Sequence, residues 1–139
     1  MKAKRVLETC LYVDDLEKAE AFYRQVFGLE LYAKVEGRHV FFHCGDGMFL
    51  LFNPAKTSQP GGSVPAHGSH GAGHVAFSML RDEAAAWREQ LIRQGVAIEK
   101  EVTWPSGGYS IYLRDPAGNS VELATPQTWK LPEQGDTSG

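Results

Sequence analysis

The chain has 139 residues, a formal net charge of -3 and 22% charged side chains. That length suits one compact domain rather than two independent cores, and its scattered Lys and Arg give no basic face for a phosphate backbone, so the expected partner is a small molecule and not nucleic acid. No stretch approaches the ~18 apolar residues a bilayer span needs, and the basic start MKAKRVLETC lacks an apolar signal core. Cys10 and Cys44 have no CxxC spacing, which argues against a disulfide framework or a thiolate zinc site. The expectation is a cytoplasmic protein with two free thiols and no membrane partner.

The first element is LETCLYV at 7–13, where Leu7, Thr9, Leu11 and Val13 alternate with Glu8, Cys10 and Tyr12, the period-two signature of a strand. DDLEKAEAFYRQVFG follows. Asp14 or Asp15 can cap a helix, Leu16, Ala19, Phe22, Tyr23 and Val26 fall on one face, and Gly28 stops it. Extended segments are expected near 30–35, 39–44 and 48–53, the last two joined by CGDG. Residues 54–72, rich in Pro, Gly, Ser and His, read as a long linker loop.

The same order then recurs: a strand HVAFSM, a helix from about Asp82 with Ala84, Trp87 and Leu91 inward, Gly95 as its stop, and three extended pieces. Gly28 lies 20 residues after Glu8, and Gly95 lies 21 after His74. CGDGMFLLF and DPAGNSVEL align without a gap, setting Gly47 opposite Gly118. This is the mark of an internal duplication, and it predicts an α+β fold of two βαβββ units. Unit one is expected at about 5–53 and unit two at about 73–126, within a single domain spanning 1–126; 127–139 read as a flexible tail.

The duplication nominates a site. His74 shares a strand face with Ala76 and Ser78, Glu122 shares one with Ser120 and Ala124, and Glu8 takes in unit one the place of His74 in unit two. Three metal-capable side chains thus stand at repeat-equivalent positions on faces of small residues. The partner of Glu122 in unit one falls at Leu51 in the gapless alignment, or at Leu50 if the turn differs by one residue; with leucine at either, no fourth ligand comes from that strand. Two carboxylates and an imidazole converging in a partly dry cavity are costly alone and favourable around a divalent cation. Mixed N and O ligation suits Mn, Fe, Zn, Co or Ni. Glu8 is also the carboxylate able to leave the ion and take a proton, as a catalytic base. His67 and His70 in HGSH read as solvated loop, one of them a candidate cap over a ligand. Arg38, His39 and His43 read as surface residues. Tyr12, Tyr109, Tyr112 and Trp104 read as cavity lining or strand packing, and Gly107 and Gly108 as a turn at the rim, a candidate lid.

The segments E-x-x-L-x-V-x-D-L at 8–16, GHVAF at 73–77 and DPAGNSVEL at 115–123 make the chain resemble the vicinal oxygen chelate superfamily, the glyoxalase, bleomycin-resistance and extradiol-dioxygenase group. The resemblance implies a cup-shaped mixed β-sheet with helices on its outer face, a homodimer, and one divalent metal ion in the cup, chelated by vicinal oxygens of a small-molecule substrate. It implies lyase or isomerase, dioxygenase or thiol-transfer chemistry. The alternative reading is a metal-free drug- or metabolite-binding protein of the bleomycin-resistance type. Family members often carry His where Glu8 stands, and glyoxalase I enzymes carry a further ligand where this chain has leucine.

Overall fold

The computed structural model describes residues 1–134 and divides into two compact units. The first comprises Met1–Gly73 with Asp115–Asn119; the second comprises His74–Arg114 and the chain from Ser120 onward. Among the described residues no helix is long and apolar enough to cross a membrane.

Unit one runs β1 (Glu8–Tyr12), α1 (Leu16–Phe27), β2 (Glu30–Val35), β3 (His39–Cys44), β4 (Gly47–Phe52) and a short α2 (Pro54–Thr57). The sheet order is β1-β4-β3-β2, with β1 parallel to β4 and the other pairs antiparallel. Helix α1 begins where the Asp15 carboxylate accepts the Lys18 N–H at 3.1 Å and ends at Gly28, whose φ of 65° is left-handed. Its buried face is Leu16, Ala19, Tyr23, Val26 and Phe27, with the expected Phe22 only half-buried. That face covers Leu11, Val40, Phe42, Phe49 and Leu51, the inward residues of three strands. Leu7, expected inside, is exposed because β1 starts one residue later. The linker is also more ordered than its composition predicts: Asn53 caps α2 by accepting the Ala55 N–H, and the His67 N–H donates to the Thr57 carbonyl.

Unit two repeats the programme as β5 (His74–Ser78), α3 (Ala84–Arg93), β6 (Lys100–Thr103), β7 (Tyr109–Arg114) and β8 (Ser120–Ala124), in the order β5-β8-β7-β6. One turn of 3-10 helix, Arg81–Glu83, leads into α3, and another, Pro126–Trp129, follows β8. The predicted tail therefore begins as structure, and residues 135–139 lie outside the described residues. Ile111, Leu113, Val121, Leu123 and Leu91 have no exposed surface and form this unit's core. The two four-stranded mixed sheets with their helices are the predicted α+β, twice-βαβββ class.

The two final hairpins differ by one residue. Cys44 pairs with Gly47 across the two-residue turn Gly45-Asp46. In the β7–β8 hairpin the Asp115 N–H donates to the Asn119 carbonyl, enclosing Pro116, Ala117 and Gly118, with Gly118 at φ 85°. The gapless alignment that set Gly47 opposite Gly118 is therefore off by one. Glu8 lies opposite Met48 and Cys10 opposite Leu50, as His74 lies opposite Ser120 and Ala76 opposite Glu122. Leu50, not Leu51, is the counterpart of Glu122.

This DPAGN turn is the polar keystone of unit one. The buried Asp115 carboxylate accepts the Tyr23 hydroxyl at 2.7 Å, the Ala117 and Asn119 N–H groups at 2.9 Å, and the Asn119 side-chain amide at 3.0 Å. Asn119 in turn accepts the Gly73 N–H at 2.7 Å and donates to the Tyr12 carbonyl. Burial first, then the Asp115 charge, pushes the Tyr23 phenol far above its usual range, so it stays a donor.

Two outcomes follow from this packing. Tyr23→Phe leaves one Asp115 lone pair unmet in a buried site and is expected to cost about 1–3 kcal/mol in urea unfolding, with the helical circular-dichroism signal kept. Gly108 sits in a turn closed by Trp104 N–H to Gly108 C=O at 2.8 Å, and a Cβ there would lie 2.4 Å from the backbone of Thr128. The turn is thus packed down rather than poised as a lid, and Gly108→Ala is expected to cost about 1–3 kcal/mol through overpacking, read as a lower denaturation midpoint at unchanged slope.

Candidate metal centre

His74 opens β5 and Glu122 lies at the middle of β8. Because these strands are parallel and in register, Glu122 stands beside Ala76, one pleat from His74 on the same face. The two side chains meet with His74 Nε2 3.3 Å from Glu122 Oε1. The other ring nitrogen, Nδ1, lies 3.1 Å from the Ser120 carbonyl oxygen. A carbonyl only accepts, so Nδ1 is the donor in that contact, and Nε2 is the ring nitrogen that faces the carboxylate. At this distance either a proton on Nε2 or a cation beside the pair satisfies both atoms. An imidazole oriented by a backbone carbonyl is the arrangement of a metal-binding histidine, and the donor set fits a divalent ion. Glu122 is almost fully buried while the His74 side chain is 52% exposed, which leaves an open approach on the histidine side.

The carboxylate is held from behind. Ser110 Oγ, with no exposed surface, donates to Glu122 Oε2 at 2.6 Å, and Trp104 Nε1 donates to Ser110 Oγ at 2.8 Å. Tyr112 is the cross-strand neighbour of Glu122 and lies 6.4 Å, ring to ring, from His74 with the planes 22° apart. Burial, then the charge and hydrogen bond of Glu122, raises its phenol above the ordinary value. Tyr112 and Trp104 are therefore neighbours of the His74–Glu122 pair, Trp104 through Ser110. Tyr109 is not: it faces the other way, bonded to Glu101 and to Arg88 at 2.6 Å, with Arg81 over its ring. Ser110 is not among the expected site residues, and its one signal in the residue order is a serine between Tyr109 and Ile111 in an otherwise apolar strand.

Glu8 is exposed at the start of β1 in unit one, on the face it shares with Cys10 and Tyr12. Among the described residues of one chain no three His, Cys, Asp or Glu side chains come together as a metal site. Within unit two the structure joins His74 to Glu122, and Glu8 belongs to unit one. Burial raises the Cys10 thiol above its ordinary value, as it does Cys44, so neither is an activated nucleophile at neutral pH.

The corresponding face of unit one carries a groove of about 680 Å³ whose walls include Arg38, His39, Phe41, Phe52, Lys56 and His67. The expectation that Arg38 and His39 are surface residues is corrected here, since both are half-buried. His39 lies flat on Phe41 at 4.0 Å and accepts from Arg38 at 2.6 Å; burial, aided by the Arg38 charge, lowers its pKa. His67 contacts the Tyr12 hydroxyl at 2.7 Å and meets Phe52 edge-on at 4.6 Å, so it is a wall and not a solvated loop residue. His70 lies exposed in a separate shallow cleft with Tyr12 and Asp14, and His43 is exposed against Tyr32.

Three comparisons bear on this geometry. The family model of the Glyoxalase/Bleomycin resistance protein/Dioxygenase superfamily matches residues 5–123. A metallothiol transferase, FosB of Bacillus licheniformis, is 32% identical over 114 residues, covering 81% of this chain and 70% of the relative. A glutathione transferase, FosA of Serratia marcescens, is 30% identical over 114 residues, covering 81% of this chain and 74% of the relative. The crystal structure of a lactoylglutathione lyase from Agrobacterium tumefaciens superposes with a TM-score of 0.91 at 42% identity, covering 94% of this chain and all of that one. The duplicated βαβββ sheets, the paired histidine and glutamate and the match over residues 5–123 lead to one assignment: the chain belongs to the glyoxalase/bleomycin resistance protein/dioxygenase superfamily.

Proposed function

We propose that the protein is a metal-dependent enzyme in which His74 and Glu122 of one chain, with Glu8 of a second copy, hold one divalent ion for a small-molecule substrate. The observation that carries this reading is the pairing of His74 Nε2 with Glu122 Oε1, 3.3 Å apart on one open strand face with the imidazole oriented by the Ser120 carbonyl. Two ligands hold an ion weakly, and in this reading the third is supplied by a second copy of the chain. Glu8 is the choice because it occupies in β1 the register position that His74 occupies in β5. An ion at this site, Mn, Fe, Zn, Co or Ni by its donors, supplies Lewis acidity to two neighbouring substrate oxygens.

The chain's own residues supply the rest. Tyr112 is protonated and hydrogen-bonded to Glu122, and turned from that carboxylate to a substrate oxygen it is the donor to charge that develops there. Glu8 is the carboxylate that takes a proton during the reaction. Leu50 stands where a fourth ligand would project, so the site keeps room for the substrate's two oxygens. The relatives by name handle a thiol, glutathione or a glutathione adduct, and this supports a substrate that carries or receives a small thiol. Lyase chemistry on such an adduct is favoured over thiol transfer by the greater likeness to the lyase, 42% against 32% and 30% identity.

Two measurements test the reading. Elemental analysis after dialysis against Mn, Ni or Zn is expected to give about one ion per chain for the native protein and at least a tenfold reduction for His74→Ala or Glu122→Ala; undiminished metal in either variant would overturn the assignment. Metal-loaded protein is expected to turn over glutathione hemithioacetals, and Tyr112→Phe to lower kcat by about 10²-fold with KM little changed. Consumption of an epoxide with free thiol, and none of the hemithioacetals, would replace lyase by transferase chemistry.

A further inference from the structure

The carboxylate of Glu122 does not choose its own orientation. An indole N–H donates and never accepts, so Trp104 Nε1 at 2.8 Å takes up a lone pair of Ser110 Oγ. The hydroxyl has one proton, and with a donor already behind it that proton points the other way, to Glu122 Oε2 at 2.6 Å. Ser110 thereby engages Oε2, and the other oxygen, Oε1, is the one that faces His74 Nε2, with the Tyr112 phenol also bonded to the carboxylate. The three groups come from three positions of the sheet and its turn: Trp104 follows β6, Ser110 is on β7 and Glu122 is on β8. Ser110 has no exposed surface and Glu122 is 7% exposed, so water does not compete for these bonds.

We infer that Trp104 and Ser110 are positioning residues that deliver Glu122 to the ion through Oε1 alone, in a fixed direction set by the donor-only indole. The inference rests on the reading of His74 and Glu122 as metal ligands and adds to it a mode of binding: one oxygen of Glu122 on the ion, the other on Ser110. A carboxylate bound through one oxygen takes one coordination position rather than two, so the relay preserves the open positions the substrate's oxygens require. Nothing in the relay touches substrate, and its effect passes entirely through Glu122.

The test reads zinc affinity by calorimetry and, separately, the indole N–H of Trp104 by ¹H–¹⁵N correlation spectroscopy in zinc-free protein, with W104F identifying the peak. Ser110→Ala is expected to weaken zinc binding about 10–100-fold and Trp104→Phe about tenfold, the range for residues that orient a ligand, whereas Ser110→Thr, which keeps the hydroxyl, stays within a few-fold of native. The double variant W104F/S110A is expected to bind no more weakly than S110A, because the indole acts only through the serine. Losses that add in the double variant would mean two independent packing effects and would overturn the relay. Without zinc, S110A is expected to shift the Trp104 indole N–H upfield; an unmoved peak overturns the hydrogen bond itself. Should S110A fail to fold, W104F and S110T carry the comparison. Native zinc affinity unchanged in both W104F and S110A sinks the relay alone, whereas no zinc binding by the native protein removes the metal reading with it.

Discussion

Everything chemical in this protein depends on one parallel ladder. β5 and β8 run side by side in register, so the period-two alternation of each strand sends His74, Ala76, Ser120 and Glu122 to one face and Val75, Phe77, Val121 and Leu123 to the other. A one-residue slip would bury His74 among leucines and expose Val121, and the fully buried Val121 and Leu123 hold the register against it. The apolar face pins the polar one. Precision at the metal-capable pair is therefore a by-product of core packing, and no loop has to be ordered to create it.

The duplication then explains the division of labour between the units. Read through the two sets of strand pairings, Leu50 stands for Glu122, Phe52 for Ala124, Phe41 for Tyr112, His39 for Ser110 and Tyr12 for Ser78. One unit fills the face with aromatic and aliphatic side chains; the other clears it and lines it with hydroxyls. The cleared face can hold a buried carboxylate because it supplies a hydroxyl donor to one oxygen and the His74 imidazole to the other. The filled face makes an aromatic groove rimmed by Arg38 and Lys56, suited to planar and anionic groups.

Much of this was legible in the residue order. Alternation in HVAFSM and NSVEL, the Asp15 cap and the Gly28 stop are local signals, and each became the element it announced. The repeat gave the topology, and with it the pairing of His74 with Glu122. Two kinds of information were not local. Hairpin length differs by one residue between CGDG and DPAGN, and a gapless alignment cannot see an extra turn residue, so the counterpart of Glu122 was left between Leu50 and Leu51. Partnerships across strands were also hidden: Trp104, Ser110 and Glu122 lie 6 and 12 residues apart and meet only because β6, β7 and β8 are neighbours. Half-burial of Arg38 and His39 arose in the same way, since the linker residues that cover them lie some 20 positions away.

In the proposed function a complete site takes residues from two copies. The direct measurement is the metal content of co-expressed variants purified as one sample. Glu8→Ala and His74→Ala each remove a ligand, and neither alone is expected to retain an ion through gel filtration. A mixed dimer keeps one site with Glu8 from the His74→Ala copy and His74 from the Glu8→Ala copy, so random pairing is expected to restore about a quarter of the native metal. No recovery in a sample shown to contain mixed dimers, or full metal retention by Glu8→Ala alone, would contradict the shared site.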